Sequence, residues 1–223
     1  MSSGFLPLFP SLVQVLDNYT VLDFETTGVS GSKGQVIEIG ALKGAGAKVT
    51  ARFHALIKLQ GELPPKITEI TGITATDLEN GIDERSAFTI LQEFIGDSVV
   101  VAHNAPFDLG FLYNTYRRLK LKPTQHPFLD TLSVCRLRQP SPRSLQAMCQ
   151  TYGIKHSHWH RALPDATATL YLLHKLHEEA SIDPFLNKIV VNPKYGSPKL
   201  LPPFAEIISP PDSPYTRSSL SSS

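Results

Sequence analysis

Residues Tyr19-Thr-Val-Leu-Asp-Phe-Glu-Thr-Thr-Gly28 pass from an apolar, β-prone run to a pair of carboxylates two positions apart. Side chains at i and i+2 of a strand project from the same face, so Asp23 and Glu25 stand side by side while Phe24 points into the opposite layer. Adjacent carboxylates repel unless a cation lies between them, and an oxygen-only donor set suits a hard divalent ion such as Mg²⁺ or Mn²⁺. Thr26, Thr27 and Gly28 end the strand in a turn whose backbone can approach a substrate closely. The expectation is a metal-dependent phosphoryl-transfer site, provided the rest of the chain supplies further ligands.

Two more strands follow, Gln35–Lys43 and Val49–Leu59, separated by the turn-rich links Ser30–Gly34 and Gly44–Lys48, which predicts an antiparallel meander. Val36, Glu38 and Gly40 alternate with Ile37, Ile39 and Ala41, so one face of the second strand is apolar. Beyond Pro64 and Pro65, the Ile67–Ile73 segment predicts short helical turns. Ser86–Ile95 carries Phe88, Leu91 and Ile95 at helical spacing with Gly96 as a stop. Ser98–Ala102 is a buried strand, Pro106–Leu119 a helix, Phe128–Leu137 a strand end that turns helical, and Ser144–Tyr152 a short helix. Leu163–Glu179 is the most periodic segment, with Leu170, Leu173 and Leu176 on one stripe. A meander followed by strand–helix alternation predicts an α/β domain with a mixed sheet.

The chain has 223 residues with 41% hydrophobic and 18% charged content, enough for one well-buried domain with some left over. A net charge of +1 advertises no long basic groove, so contact with nucleic acid is expected to be short and local. Cys135 and Cys149 form neither a disulfide framework nor a CxxC pair, which points to a reducing, cytoplasmic setting. Met1–Pro10 is apolar but lacks a basic flank, holds two prolines and is too short to span a bilayer, so no membrane contact is expected. The predicted organisation is an N-terminal arm over 1–18, a catalytic domain over 19–183, and a Pro/Ser-rich tail over 184–223 that is expected to be flexible or extended.

Two further segments supply acids at the ends of elements. In His103-Asn-Ala-Pro-Phe-Asp108 a strand ends in a polar turn, and Asp108 falls in the first turn of the next helix. Taken alone, Asp108 would serve as a helix-start carboxylate facing the dipole and Asn104 as a turn residue. In His160-Arg-Ala-Leu-Pro-Asp165, Pro164 suits a helix start and fixes Asp165 on the first turn of the periodic helix. His160 sits in the preceding loop, where an imidazole can deprotonate a water near neutral pH. A zinc cluster of His156, His158 and His160 is the weaker reading, since Cys149 is not at a ligand spacing. Four carboxylates and one histidine at strand ends and helix starts lie where an α/β sheet builds its site.

These three motifs resemble those of the DEDDh (DnaQ-like) 3′–5′ exonuclease family, most of all the proofreading epsilon subunits of bacterial DNA polymerase III and the exonuclease domains of polymerase C. Ile70-Thr-Gly-Ile73, Asp130-Thr-Leu and Ser144–Ile154 fall where that family has similar blocks, so the resemblance runs from Tyr19 to Glu179. It implies a ribonuclease H-like fold with a five-stranded mixed sheet and a two-metal hydrolase using Mg²⁺ or Mn²⁺. Asp23, Glu25, Asp108 and Asp165 would hold the ions, with Asp23 bridging them, and His160 would be the general base. Thr26, Thr27, Asn104 and Phe107 would touch the terminal nucleotide of single-stranded DNA. The resemblance also implies a DNA polymerase partner gripped by the C-terminal tail. RNA trimming by an exoribonuclease of the same superfamily, and a non-catalytic polymerase-accessory module, remain alternatives at this point.

Overall fold

A computed structural model describes residues 14–29, 31, 33–156, 158–191 and 201–209. At its centre is β1 (Tyr19–Thr26), whose two neighbours run in opposite senses. On one side it pairs antiparallel with β2 (Val36–Ala45), which pairs antiparallel with β3 (Lys48–Leu56). On the other it pairs parallel with β4 (Val99–Ala102), which pairs parallel with β5 (Phe128–Asp130). The five-stranded order β3-β2-β1-β4-β5 is the expected mixed sheet. Between β3 and β4 lie α1 (Pro65–Thr71), α2 (Ala75–Glu79) and α3 (Glu84–Ile95); α4 (Ala105–Arg118) joins β4 to β5. After β5 come α5 (Thr131–Arg138), α6 (Leu145–Tyr152) and α7 (Ala162–Glu179).

The two-residue period of β1 divides the core between the sheet's faces. Leu22 and Phe24 join Phe88, Leu91, Leu109 and Phe111 from α3 and α4. Tyr19 and Val21 join Val134, Met148, Leu170, Leu173 and Leu176 from α5, α6 and α7. Asp23 and Glu25 therefore fall on the α7 face, at the end of the strand where the apolar side chains stop. The helices begin where the residue types allow. Asp83 caps α3 by accepting from the Ser86 N–H, and Ser144 caps α6 through Ala147. Asn104 takes a left-handed conformation, φ 73°, at the start of α4.

In β2 the structure differs from a one-sided strand, because its polar positions are covered by the start of α7. Glu38 has no exposed surface. It accepts from the Ala162 N–H at 2.9 Å and from the Arg161 guanidinium, whose Nη2 lies 2.8 Å from Oε1. Gly40 makes that approach possible, since a Cβ there would lie 2.2 Å from the Ala162 carbonyl carbon. A glycine at this position admits the helix; any side chain would push it off the sheet.

A second difference lies in the segment expected to be a loose tail from residue 184. β6 (Lys188–Val190) and β7 (Glu206–Ile208) pair in parallel, and Ile189 and Val191 are buried against the α3–α4 core. Asn187 exchanges hydrogen bonds with Phe128 at the β5 edge, and the Ser133 hydroxyl accepts from the Val190 N–H. The run Ile189-Val-Val191 precedes the prolines, and its backbone partners come from β7 and from α5, so it packs. At the other end, Val15 of the predicted arm is buried and donates its N–H to Asp183. The rest of the arm and tail, residues 1–13, 192–200 and 210–223, lies outside the described residues.

Replacing Gly40 by alanine sets a methyl group against backbone that cannot yield. The expected cost is at least the about 1–3 kcal/mol of an overpacked core, read from the urea denaturation midpoint, with the loss of activity exceeding the loss of folded protein.

Candidate active site

The site forms at the carboxyl end of β1. Register places Asp23 opposite Gly40 and Glu25 opposite Glu38, both on the face that receives α7. Asp108, in the first turn of α4, is 3% exposed and accepts through Oδ1 from the Phe24 N–H at 3.1 Å. One backbone hydrogen bond thus ties the third carboxylate to the residue between the first two. Asp165, in the first turn of α7, is 8% exposed, and its Oδ2 accepts from the His160 N–H at 3.0 Å. His160 is exposed, with φ 60°. Donor atoms from Glu25, His160 and Asp165 all lie within 4.8 Å of one another.

The structure thus brings Asp23, Glu25, Asp108, Asp165 and His160 into one cluster, and the electrostatics carry its signature. Burial, followed by repulsion from Asp108, Asp165 and Glu25, raises the Asp23 carboxyl well above its ordinary range. Glu25 is pushed up to about 8 by burial and then by Asp165 and Glu38, with Arg161 pulling the other way. Asp108 is raised well above its range, chiefly by burial and against the N–H of Phe24. Asp165 is raised by burial, while His156 and His160 draw it back. Arg161 offsets the cluster only in part, because its Nε and Nη2 are bound to Glu38. Burial alone would raise Glu38, yet hydrogen bonds from Arg161, His54 and the Ala162 N–H hold its carboxyl below its ordinary value.

Asp165 Oδ1 is buried, with His156 Nε2 2.7 Å away. Four carboxylates short of positive charge, with an imidazole alongside, make a donor set that fits hard divalent cations. Among the described residues the metal-like grouping is Glu25, His160 and Asp165, not a trio of histidines. His156 instead stacks on Trp159, ring centroids 3.7 Å apart and 8° between planes, and closes the loop over Asp165.

The residues expected at the terminal nucleotide are placed as follows. The Thr26 hydroxyl donates to the Gly28 carbonyl and the Thr27 hydroxyl accepts from the Gln35 N–H, so both hydroxyls close the β1–β2 turn. The Asn104 side chain is exposed and makes no cap bond to α4. Phe107 is half-buried with its ring 5.0 Å from that of Phe111. Sequence reasoning passed over three residues. Glu38 looked like one member of a strand alternation, His156 like one histidine among three, and Asp130 like part of a short block. Asp130 accepts from the N–H groups of Asn104, Ala105, Leu132 and Ser133, which fixes the turn that delivers Asp108. An aspartate just before a helix signals a cap; nothing local signals that it also binds a turn 26 residues away.

A five-stranded mixed sheet whose central strand and two helix starts converge acids on one point is the architecture of a ribonuclease H-like nuclease. The chain belongs to the exonuclease family: residues 20–173 match the family RNase_T, described as "Exonuclease". It is 36% identical over 168 residues to the DNA polymerase III PolC-type of Bacillus subtilis (strain 168), covering 74% of this chain and 12% of that protein. With the PolC-type of Thermotoga maritima it shares 40% over 155 residues, 68% of this chain and 11% of that one. The chain therefore spans only about an eighth of the curated relatives it matches. Among solved structures, exonuclease I superposes with a TM-score of 0.66 at 20% identity, covering 73% of this chain and 41% of that one. E. coli exonuclease I in complex with a dT13 oligonucleotide gives 0.64 at 18%, covering 74% and 41%. These likenesses establish the shared fold. Among the described residues no helix is long and apolar enough to cross a membrane.

The raised carboxyls fix the sign of a pH effect. Between the ordinary 4.5 of a glutamate and about 8, Glu25 keeps its proton in the folded chain and has lost it in the unfolded one. Stability in EDTA should therefore fall as pH rises through that window, by up to about 1.4 kcal/mol per pH unit for each such group. Thermal melts from about pH 5 to 8 should show this decline. Glu25→Gln should flatten part of it, and millimolar Mg²⁺ or Mn²⁺ should raise the melting temperature most at the alkaline end.

Proposed function

We propose that this chain hydrolyses the last phosphodiester bond at the 3′ end of DNA, releasing nucleoside 5′-monophosphates one at a time. The observation that carries this reading is the convergence of Asp23, Glu25, Asp108 and Asp165 beneath an exposed His160. Asp23, Glu25, Asp108 and Asp165 would hold the ions. With divalent cations such as Mg²⁺ or Mn²⁺ bound there, the site would gain Lewis-acid stabilisation of the charge that develops on the phosphate oxygens.

The remaining steps belong to the chain's own groups. His160 takes a proton from the water that attacks phosphorus; a new P–O bond forms, the bond to O3′ of the penultimate nucleotide breaks, that oxygen takes a proton from solvent water to leave as a hydroxyl, and the exposed His160 returns its own proton to solvent. Its exposure suits a base that must meet water and substrate, while its backbone N–H, bound to Asp165, keeps the loop in register. Asn104 and Phe107 are assigned to the terminal nucleotide, Phe107 packing against the base or sugar. Thr26 and Thr27 are assigned to the same nucleotide from the turn that their hydroxyls close. Support for DNA comes from the PolC-type DNA polymerases to which the chain is similar and from exonuclease I, solved with an oligodeoxynucleotide. Proofreading or repair is the proposed setting, in the cytoplasm, where Cys135 and Cys149 remain buried thiols. The tail from Asn192, of which 192–200 and 210–223 lie outside the described residues, is proposed as the polymerase contact.

With 5′-labelled single-stranded and mismatched duplex DNA and Mg²⁺, a ladder shortening from the 3′ end is expected, abolished by EDTA. Asp23→Asn should remove activity while leaving the protein folded. His160→Ala should slow turnover by about 10²–10⁴-fold with the melting temperature nearly unchanged. Faster shortening of matched RNA than of DNA would overturn the substrate assignment, and full activity in the Asp23 variant would overturn the site.

A further inference from the structure

Beside the carboxylate cluster, the turn before α4 and the link between α5 and α6 enclose an open groove of about 500 Å³. His103 spans it, Nδ1 lying 3.0 Å from the Thr131 hydroxyl and Nε2 2.9 Å from the Arg143 carbonyl, so the two walls are fixed relative to each other. Arg136 and Arg143 line the groove together with Asn104, Ser141 and Ser144, and no acidic residue does. Both guanidinium groups are tethered on one side. Arg136 Nη1 donates to the Val190 carbonyl and Arg143 Nε to the Gln139 carbonyl. Neither has a carboxylate partner among the described residues, whereas Arg118 is paired with Glu84 and Arg161 with Glu38.

We propose that this groove holds a backbone phosphate of the substrate strand, on the 5′ side of the bond being cut, between Arg136 and Arg143. A guanidinium braced by one carbonyl keeps the rest of its fork free and loses little freedom when it meets a planar pair of phosphate oxygens. The position follows from the chain. Asn104 opens the groove and Asp108 lies four residues along the same helix, about 6 Å away, so a strand leaving the carboxylates need travel only about one helical turn. The charge agrees as well. A chain with a net charge of +1 has no broad basic surface to spend on nucleic acid, so two unpaired arginines beside the site form the kind of local contact its composition allows.

The inference rests on strand-end hydrolysis at the carboxylates, and its test separates the two. Binding of a 5′-fluorescein-labelled dT12 strand is followed by anisotropy across a salt series, in EDTA, for the parent protein, Arg143→Gln, Arg143→Lys and the Arg136→Gln/Arg143→Gln double variant. The slope of log K against log salt should shrink by about 0.7 for Arg143→Gln and about 1.4 for the double variant, and Arg143→Lys should retain most of it. In turnover with Mg²⁺, the KM for dT12 should rise about tenfold in Arg143→Gln, and inhibition by thymidine 5′-monophosphate should match the parent's. Unchanged salt slopes in folded variants overturn the proposal. So does weakened inhibition by the monophosphate, which would make the groove a product site. If the parent cuts nothing yet the slopes still fall, the groove stands and the hydrolytic reading falls. If Arg136→Gln disturbs the Val190 tether and unfolds the protein, the single Arg143 variants decide between these outcomes.

Discussion

Crowding of like charge at one end of β1 is the constraint to which the rest of this structure answers. Two carboxylates from a strand and two from helix starts are held where each raises the others' affinity for a proton. Left to themselves they would splay apart. The strand fixes Asp23 and Glu25, and the two helix-borne carboxylates are each gripped by a backbone donor rather than a cation. Phe24 N–H holds Asp108 and His160 N–H holds Asp165. Such donors fix position without discharging the site, so the negative potential remains available to a bound ion.

Glu38 explains how the positive charge nearest the cluster is kept from collapsing into it. Arg161 lies one residue after His160 and could otherwise fold onto Glu25 or Asp165. Its guanidinium is instead bound through Nε and Nη2 to a carboxylate with no exposed surface, which also accepts the first N–H of α7. The same contact fixes the start of the helix that carries Asp165, and Gly40 lets that helix lie down on the sheet. Buried ion pairs are poor sources of net stability. Here the gain is geometric, because one carboxylate holds the helix and withholds the arginine at once.

Much of this was legible in the sequence. Alternation in Tyr19–Glu25 placed Asp23 and Glu25 on one face. The buried run at Ser98–Ala102 and the helix-start signals at Pro106 and Pro164 located Asp108 and Asp165 within a turn of their observed places. Glu38 was not legible, because an acid alternating with isoleucines reads as a solvated strand face until the partner helix is known to cover it. His156 was hidden for a similar reason, since its contacts with Trp159 and Asp165 arise from how the 154–160 loop closes. Proline content made the segment after residue 184 look uniformly loose, and composition averaged over its whole length concealed the three apolar residues at 189–191 that pack.

Exposure sorts the site into two jobs. Groups that must hold charge are withdrawn: Asp108 and Asp165 are buried, and Asp23 and Glu25 are half-buried at the strand end. His160, the proposed general base, stands outside, with a left-handed backbone and its N–H bound to Asp165. Burying His160 with the carboxylates would lock it into an ion pair and cut it off from solvent. Exposing the carboxylates would let water screen the repulsion that favours a bound cation. The carboxyl end of the central strand provides both environments within one helical turn, which is why the end of β1, rather than the interior of the domain, is where the proposed chemistry is placed.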